Sequence, residues 1–128
     1  MTIFALILII WAHWFADFIL QTDHQAINKS KDNSVLLQHV WWYNIPITLA
    51  GMFLFWDRGV ILTVHLAMLF GLINSAMHFV TDYVTSRITG ILWKQEKRHW
   101  FFVVIGIDQA IHMTCLLSTY QYLLWVWK

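Results

Sequence analysis

Residues Gly59–Ile88 read GVILTVHLAMLFGLINSAMHFVTDYVTSRI, and this stretch decides the fold. A helix needs about 20 mostly apolar residues to cross the hydrocarbon core of a bilayer, and this stretch exceeds that length. Three further apolar stretches, at about 2–20, 35–56 and 100–127, are long enough to do the same. The sequence therefore predicts an all-α, polytopic membrane protein, in which residues 1–128 form a single transmembrane domain of four transmembrane helices in a bundle.

The composition favours lipid as the solvent for most of the surface. Hydrophobic residues make up 59% of the chain, charged residues only 12%, and the mean hydropathy is +0.59, whereas a soluble domain is nearer half apolar and a quarter charged. The net charge of +1 gives no basic surface of the kind that nucleic acid requires. The expected partners are membrane lipids and no nucleic acid. The single cysteine, Cys115, excludes an intramolecular disulfide and a cysteine-based zinc motif.

The distribution of Lys and Arg predicts the orientation in the membrane, because cytoplasmic loops carry an excess of both. The loops that follow the first and third stretches hold six of these residues, whereas the opposite side holds two. The six are Lys29, Lys31, Arg87, Lys94, Lys97 and Arg98, and the two are Arg58 and Lys128. Both longer loops are therefore expected in the cytoplasm, with both termini outside it.

Two pairs of small residues with a spacing of four occur within the apolar stretches, Gly71 with Ser75 and Gly106 with Ala110. Pairs of this kind let helix backbones approach each other closely. They indicate helix packing, either inside the monomer or between the monomers of a homo-oligomer.

Ionisable side chains recur inside the apolar stretches, where they are costly and usually face the interior of a bundle. His13 and Asp17 are four residues apart and so share a helix face, and His78 and Asp82 repeat this spacing. With a rise of about 1.5 Å per residue, the ionisable residues of all four stretches fall in one layer of the membrane, nearer its cytoplasmic side. The layer contains His13, Asp17, His39, His78, Asp82, Asp108 and His112.

The His-x-x-x-Asp spacing also marks a weak internal repeat. Each occurrence is followed by another apolar stretch that contributes a histidine, His39 after the first and His112 after the second. The repeat suggests two pseudo-symmetric helical hairpins with a site between them.

This layer has the chemistry of a metal site. Imidazole nitrogen and carboxylate oxygen are ligands of zinc, and of iron or manganese in mixed sites. We expect a divalent metal, most readily zinc, as one or two ions, with Asp17 or Asp82 acting as a general base. Lys29, in the polar loop Thr22–Ser34, is expected to bind the phosphate head group of a substrate. The side chains expected to hydrogen-bond to the ligands are Gln21, Gln109, Tyr43 and Asn74.

Three alternatives fit the same residues. A polar network could hold the helices together without metal, the residues could form a path for protons or ions, or histidines could ligate haem. Haem is disfavoured because axial ligation does not need aspartates beside the histidines.

The ordered motifs are His13–Gln21 (HWFADFILQ), Lys29, Leu36–His39 (LLQH), His78–Asp82 (HFVTD) and Asp108–His112 (DQAIH). This series resembles a bacterial and phage family of small membrane proteins of unknown function, whose pattern is His-x-x-x-Asp-Phe-x-x-Gln, Lys, Leu-x-x-His, His-x-x-x-Asp and Asp-Gln-x-x-His. The resemblance implies four membrane helices around a functional polar core, in a bacterial inner membrane, and implies no established reaction. One position departs from the family, because members often carry a Lys where this chain has Thr85, with Arg87 beyond it.

A looser similarity is to membrane-bound metal-dependent hydrolases, which also place His and Asp in membrane helices, and this is an analogy. The leading expectation is a metal-dependent hydrolase that acts on a lipid or lipid-linked substrate at the inner leaflet. A metal-ion or proton carrier or channel would use the same residues and continue them to the outer face, where Asn44, Thr48, Thr63 and Thr114 offer only a thin trail. A non-enzymatic membrane factor with a structural polar core is the third reading.

Overall fold

The computed structural model describes residues 2–127, and within them every regular element is a helix. The predicted all-α fold is confirmed. Met1 and Lys128 lie outside the described residues. The use of Lys128 in the comparison of Lys and Arg on the two sides therefore stays a prediction. The helices are α1 (Ile3–Trp14), α2 (Asp23–Asn28), α3 (Asn33–Leu54), α4 (Val60–Lys94) and α5 (Arg98–Val126).

The first helix does not end as a regular α-helix. A π-helical turn, Phe15–Ile19, continues α1, and the backbone N–H of Leu20 donates to the carbonyl of Phe15 at 3.1 Å. At the other end, the Thr2 hydroxyl accepts a hydrogen bond from the Ala5 N–H and caps the helix. Isolated π-helical turns are rare and are frequent at functional sites.

The segment Thr22–Ser34 was predicted to be a loop, but it contains the short helix α2. The prediction is therefore wrong for Asp23–Asn28. The Thr22 hydroxyl accepts from the Gln25 N–H at 3.2 Å, and the Gln25 side chain accepts from the Thr22 N–H at 3.0 Å. This reciprocal pair is a capping box, which satisfies two backbone donors at a helix start. It explains how a polar stretch without apolar periodicity forms a helix.

The four longer helices form a bundle. α3 packs along α4, α4 packs along α5, and α1 lies against α3 and touches α5. The connection between α3 and α4 is a single 3₁₀ turn, Trp56–Arg58, followed by Gly59 with a φ of +81°. This positive φ costs glycine little because it has no Cβ.

The interior of the bundle is divided into a polar half and an apolar half. Towards the termini of the chain, the apolar half is filled by a single cluster of buried side chains. It includes Ile9, Ile47, Leu54, Phe55, Leu66, Phe70, Leu116, Tyr120 and Leu123. Towards the connections that carry most of the Lys and Arg residues, the interior holds buried histidines and aspartates instead.

Two helices, α4 and α5, are long and apolar enough to cross a membrane by length and composition. The apolar helix Ile3–Ile19 is shorter, and α3, although it has 22 residues, is less apolar. The difference in α3 arises because its inward face carries polar groups such as His39 and Asn44, and tryptophan and tyrosine add little hydropathy.

α3 and α4 approach each other closely at two glycines. A Cβ on Gly51 would lie 2.9 Å from Ala67 Cα, and a Cβ on Gly71 would collide with the Thr48 side chain. Gly71 and Ser75 are therefore used inside the chain, where Ser75 Oγ accepts a hydrogen bond from Asn44 Nδ2. Self-association therefore stays a prediction for the second pair, Gly106 and Ala110, because both of these residues are exposed.

We predict that Gly51→Ala destabilises the protein. The added methyl meets the backbone of Ala67, so the two helices must separate, and overpacking of this kind costs about 1–3 kcal/mol. Thermal unfolding in detergent, followed by the helical circular dichroism signal, should show a lower Tm. Gly106→Ala is the matched control, because a Cβ at Gly106 meets nothing within 4 Å, and its Tm should be unchanged or higher. Equal Tm values for both variants would contradict the close approach.

Candidate metal centre

The seven ionisable residues of the predicted layer are brought together in the polar half of the bundle. They form three overlapping groups, and within each group the ligand atoms lie within 4.8 Å of one another, so each group could hold a metal ion. The groups are Asp17, His39, His78 and Asp82, then His13, Asp17 and His112, and then Asp82, Asp108 and His112. All seven residues are buried or nearly so, at 0–9% exposure.

The first group has the spacing of a tetrahedral site. His39 Nε2 lies 3.0 Å from His78 Nε2 and 3.1 Å from Asp17 Oδ1. Asp82 Oδ2 lies 3.5 Å from His39 Nε2 and 3.6 Å from His78 Nε2, and His78 Nε2 lies 3.5 Å from Asp17 Oδ1. Bonds of about 2.0–2.2 Å to a tetrahedral ion place the ligand atoms roughly 3.3–3.6 Å apart. Three of these five distances match that spacing and the two shortest fall a little below it, so the four side chains could hold one ion.

Two helices and the π-helical turn supply this group. Asp17 comes from the turn, His39 from α3, and His78 and Asp82 from one face of α4. The spacing of four residues on α4 puts both of its ligands on the same side. The π-helical turn ends at Ile19, so Gln21 lies beyond the helix on which regular spacing had placed it.

Two polar side chains outside the first group, Gln109 and Thr85, donate hydrogen bonds to Asp17 and Asp108. Gln109 Nε2 donates to Asp17 Oδ2 at 2.9 Å and to Asp108 Oδ2 at 3.0 Å, and its Oε1 lies 3.0 Å from His13 Nε2. The Thr85 hydroxyl donates to Asp108 Oδ1 at 2.5 Å. The sequence marks Thr85 only as a departure from the family pattern, and the signal for its role is its position three residues after Asp82, on the same helix face.

The other expected hydrogen-bonding partners contact the centre differently. The Tyr43 ring stacks on the His78 ring, with centroids 3.9 Å apart and an angle of 8° between the planes. Asn74 donates to the Phe70 carbonyl of its own helix at 2.8 Å. Gln21 lines the cavity described below and makes no side-chain hydrogen bond through its buried Oε1. Of the four expected partners, Gln109 is thus the one that hydrogen-bonds to the predicted ligands.

Lys29 reaches the centre directly. Its Nζ lies 2.6 Å from Asp82 Oδ2, and its side chain is 15% exposed. The ammonium group thus pairs with a carboxylate oxygen of the first group, and because Lys29 also lines the cavity described below, its binding of a head group stays a prediction.

A cavity of about 870 Å³ opens onto the centre. Asp17, Asp82 and Asp108 lie in its wall together with Gln109. Further out, the wall carries basic side chains and apolar ones. The basic residues are Lys29, Lys31, Arg87 and Lys94, and the apolar residues include Phe18, Ile27, Ile91, Trp93, Phe101 and Ile105. The cavity therefore has buried carboxylates at its inner end and basic and apolar side chains at its outer end, which we call its mouth.

The family model described as "Protein of unknown function (DUF3307)" matches residues 3–128. The chain belongs to this family. No curated protein and no solved structure was found to match the chain. Membership in the DUF3307 family agrees with the resemblance to an uncharacterised family, and it assigns no reaction to the centre.

Proposed function

We propose that this DUF3307 protein is an integral membrane metal-dependent hydrolase that acts on a phosphate-bearing lipid or lipid-linked substrate at the inner leaflet. The observation that carries the proposal is the four-residue group of tetrahedral spacing beside a cavity with a cationic mouth. The proposal has four parts, which are the membrane position, the metal, the substrate and the proton acceptor.

Four membrane-spanning helices are supported by the outward faces of the helices. α1, α3, α4 and α5 all expose large apolar side chains, such as Trp11, Phe53, Ile61 and Tyr122, which are at least 58% exposed. Only 11% of the most apolar part of α5 is buried inside the protein, unlike the core helix of a soluble domain. Exposed apolar surface around a polar interior needs lipid as its solvent.

The donor set supports zinc as the metal. Two imidazole nitrogens and two carboxylate oxygens in a tetrahedral arrangement suit Zn²⁺, and iron or manganese would tend to expand the coordination number. His39, His78, Asp17 and Asp82 would hold the ion. When bound, such an ion supplies Lewis acidity and lowers the pKa of a water molecule.

A structural polar network explains the centre less well. The Nε2 of His112 makes no hydrogen bond within residues 2–127, although the side chain is buried and its Nδ1 lies 3.4 Å from Asp108 Oδ2. Buried polar groups of a purely structural network are normally satisfied. An unsatisfied buried imidazole is instead the arrangement expected where a ligand completes the site.

The lining of the cavity supports a substrate with an anionic head group and an apolar tail. Lys31, Arg87 and Lys94 would face a phosphate, which takes charge-assisted hydrogen bonds from such groups. The apolar residues of the mouth, Phe18 and Ile105 among them, would contact hydrocarbon. The Lys and Arg excess on this side supports the inner leaflet as the place of reaction.

Asp108 is the carboxylate best placed to accept a proton. Asp17 and Asp82 belong to the four-residue group, so we infer that they ligate the ion and do not serve as the base, the role that the sequence suggested for them. This leaves the base role to Asp108, whose oxygens accept hydrogen bonds from Thr85 and Gln109. Asp108 lies outside the four-residue group and lines the cavity. There it would take a proton from the attacking water. The water oxygen bonds to phosphorus, the bond from phosphorus to the ester oxygen breaks, and the alcohol leaves with that proton.

The apolar half of the bundle argues against a carrier. The buried side chains of Ile9, Ile47, Leu66, Phe70 and Leu116 fill the interior on the side away from the cavity. An ion that passed through the bundle would have to cross this packed layer without polar partners. A site that opens to one side suits a reaction better than transport.

Hydrolysis is tested with purified, zinc-loaded protein and vesicles that contain phosphatidic acid or phosphatidylglycerol. We expect release of inorganic phosphate or of an alcohol, which stops when a chelator strips the metal. Asp108→Asn should lower the rate by about 10²–10⁴-fold and keep the bound metal. If loaded wild-type protein cleaves neither lipid, the hydrolase proposal fails, and zinc uptake by protein-containing liposomes would then identify a carrier.

A further inference from the structure

We propose that the centre binds a second divalent ion, held by His13 and His112, and that Asp17 and Asp82 bridge the two ions. The inference rests on the proposed function, because it takes the first group to be a metal site. It deepens that proposal by assigning a second metal site, which an anionic phosphate would help to fill.

The two carboxylates face both ways. Asp17 Oδ1 lies beside His39 and His78, whereas its Oδ2 lies 3.8 Å from His13 Nε2. Asp82 Oδ2 lies beside the same two histidines, whereas its Oδ1 lies 3.7 Å from His112 Nε2. Each aspartate therefore offers one oxygen to the first group and the other oxygen to the His13 and His112 side, as a bridging carboxylate does.

The imidazole of His112 lacks other partners. Its side chain is 1% exposed, and its Nε2 has no hydrogen-bond partner within the described residues. Nδ1 lies 3.4 Å from Asp108 Oδ2, which would orient the ring and leave Nε2 for a metal. The His13 ring lies 5.3 Å from the His112 ring, centroid to centroid, so the two imidazoles can converge.

The two positions are built alike. The first receives imidazoles from α3 and α4, the second receives them from α1 and α5, and the shared carboxylates come from the π-helical turn and α4. Every long helix then contributes to the pair of sites. Gln109 Oε1, 3.0 Å from His13 Nε2, adds an amide oxygen on the second side.

Charge predicts that the two ions bind unequally. Three carboxylates and the Lys29 ammonium leave two negative charges in the centre, which the first divalent ion cancels. A second ion leaves two positive charges buried, which is unfavourable until an anion enters. A phosphate at the cavity should therefore strengthen binding of the second ion, and the coupling is reciprocal.

The test is a titration of chelator-stripped protein in detergent with Co²⁺, read by its visible absorption and checked by elemental analysis. We expect one tight equivalent and one weaker equivalent, and inorganic phosphate should tighten the second by about fivefold or more. The double variant His13→Ala with His112→Ala should lose the second equivalent and keep the first. His13→Gln with His112→Gln repeats the test with less loss of volume.

The outcomes separate the two proposals. A single equivalent in the wild type, with no effect of phosphate, would overturn the second ion and leave the mononuclear centre standing. No bound Co²⁺ at all would overturn both. Two equivalents that survive in both double variants would show that His13 and His112 are not the ligands, and this would also overturn the inference.

Discussion

His78→Ala is expected to abolish stoichiometric metal binding. The His78 ring is 0% exposed, and its Nε2 lies 3.0 Å from His39 Nε2 and 3.5–3.6 Å from Asp17 and Asp82 oxygens. It thus stands at the centre of the first group. Loss of a residue that only supports a ligand costs about 10–100-fold in metal affinity, so loss of a ligand should exceed about 100-fold.

Elemental analysis of protein purified without chelator measures this effect. His78→Ala also removes the stacking of Tyr43, so His78→Phe is a second variant that keeps an aromatic ring without a ligand nitrogen. His65→Ala is the matched control, because His65 lies on the same helix, is exposed and packs its ring against that of Trp127, away from the centre. Full metal content in His78→Phe would remove the first group as the binding site.

The fold and the composition of the centre could be predicted because each follows from local spacing. The long apolar stretches predict helices by length alone, and a His and an Asp four residues apart must share a helix face. Since buried charge is tolerated only when it is paired, side chains at one depth on four packed helices converge. Seven residues chosen in this way lie in three overlapping groups of possible ligands.

The features that could not be predicted depend on the backbone or on long side chains. The π-helical turn at Phe15–Ile19 has no distinct sequence signature, and the helix ends there, so Gln21 lies outside it. The capping box of Thr22 and Gln25 was present in the sequence, but a polar stretch with no apolar face gave no reason to seek a helix. The Thr85 hydroxyl on α4 donates to Asp108 on α5. This contact depends on how the two helices pack, which their sequences do not specify.

The division of the interior explains why the site opens to one side. α1, α3, α4 and α5 place apolar residues in one half and ionisable residues in the other. Packing of the apolar half stabilises the bundle through dispersion and close contact. The polar half can then hold a carboxylate-rich centre whose charges depend on a bound cation or on Lys29.

Lys29→Met is expected to tighten metal binding and to destabilise the metal-free protein. Lys29 Nζ lies 2.6 Å from Asp82 Oδ2, an oxygen of the first group, so the ammonium group and a metal compete for the same negative charge. A unit charge about 4 Å away contributes on the order of 4 kcal/mol at a partly buried site. Because relaxation of the side chain offsets part of this, the metal Kd should fall by about tenfold or more, equivalent to about 1.4 kcal/mol.

In the metal-free protein the same change leaves Asp82 buried without its cation, and breaking such a pair costs about 3 kcal/mol. The two effects have opposite signs, so they can be measured in one preparation: Tm with a chelator present, and zinc affinity by competition with a chromophoric chelator. Lys31→Met is the matched control, since Lys31 lines the same cavity and is exposed, and it should change neither value appreciably. If Lys29→Met instead weakens zinc binding, the prediction is wrong. Lys29 then positions Asp82 for the metal, and its ammonium group stays paired with Asp82 when zinc is bound.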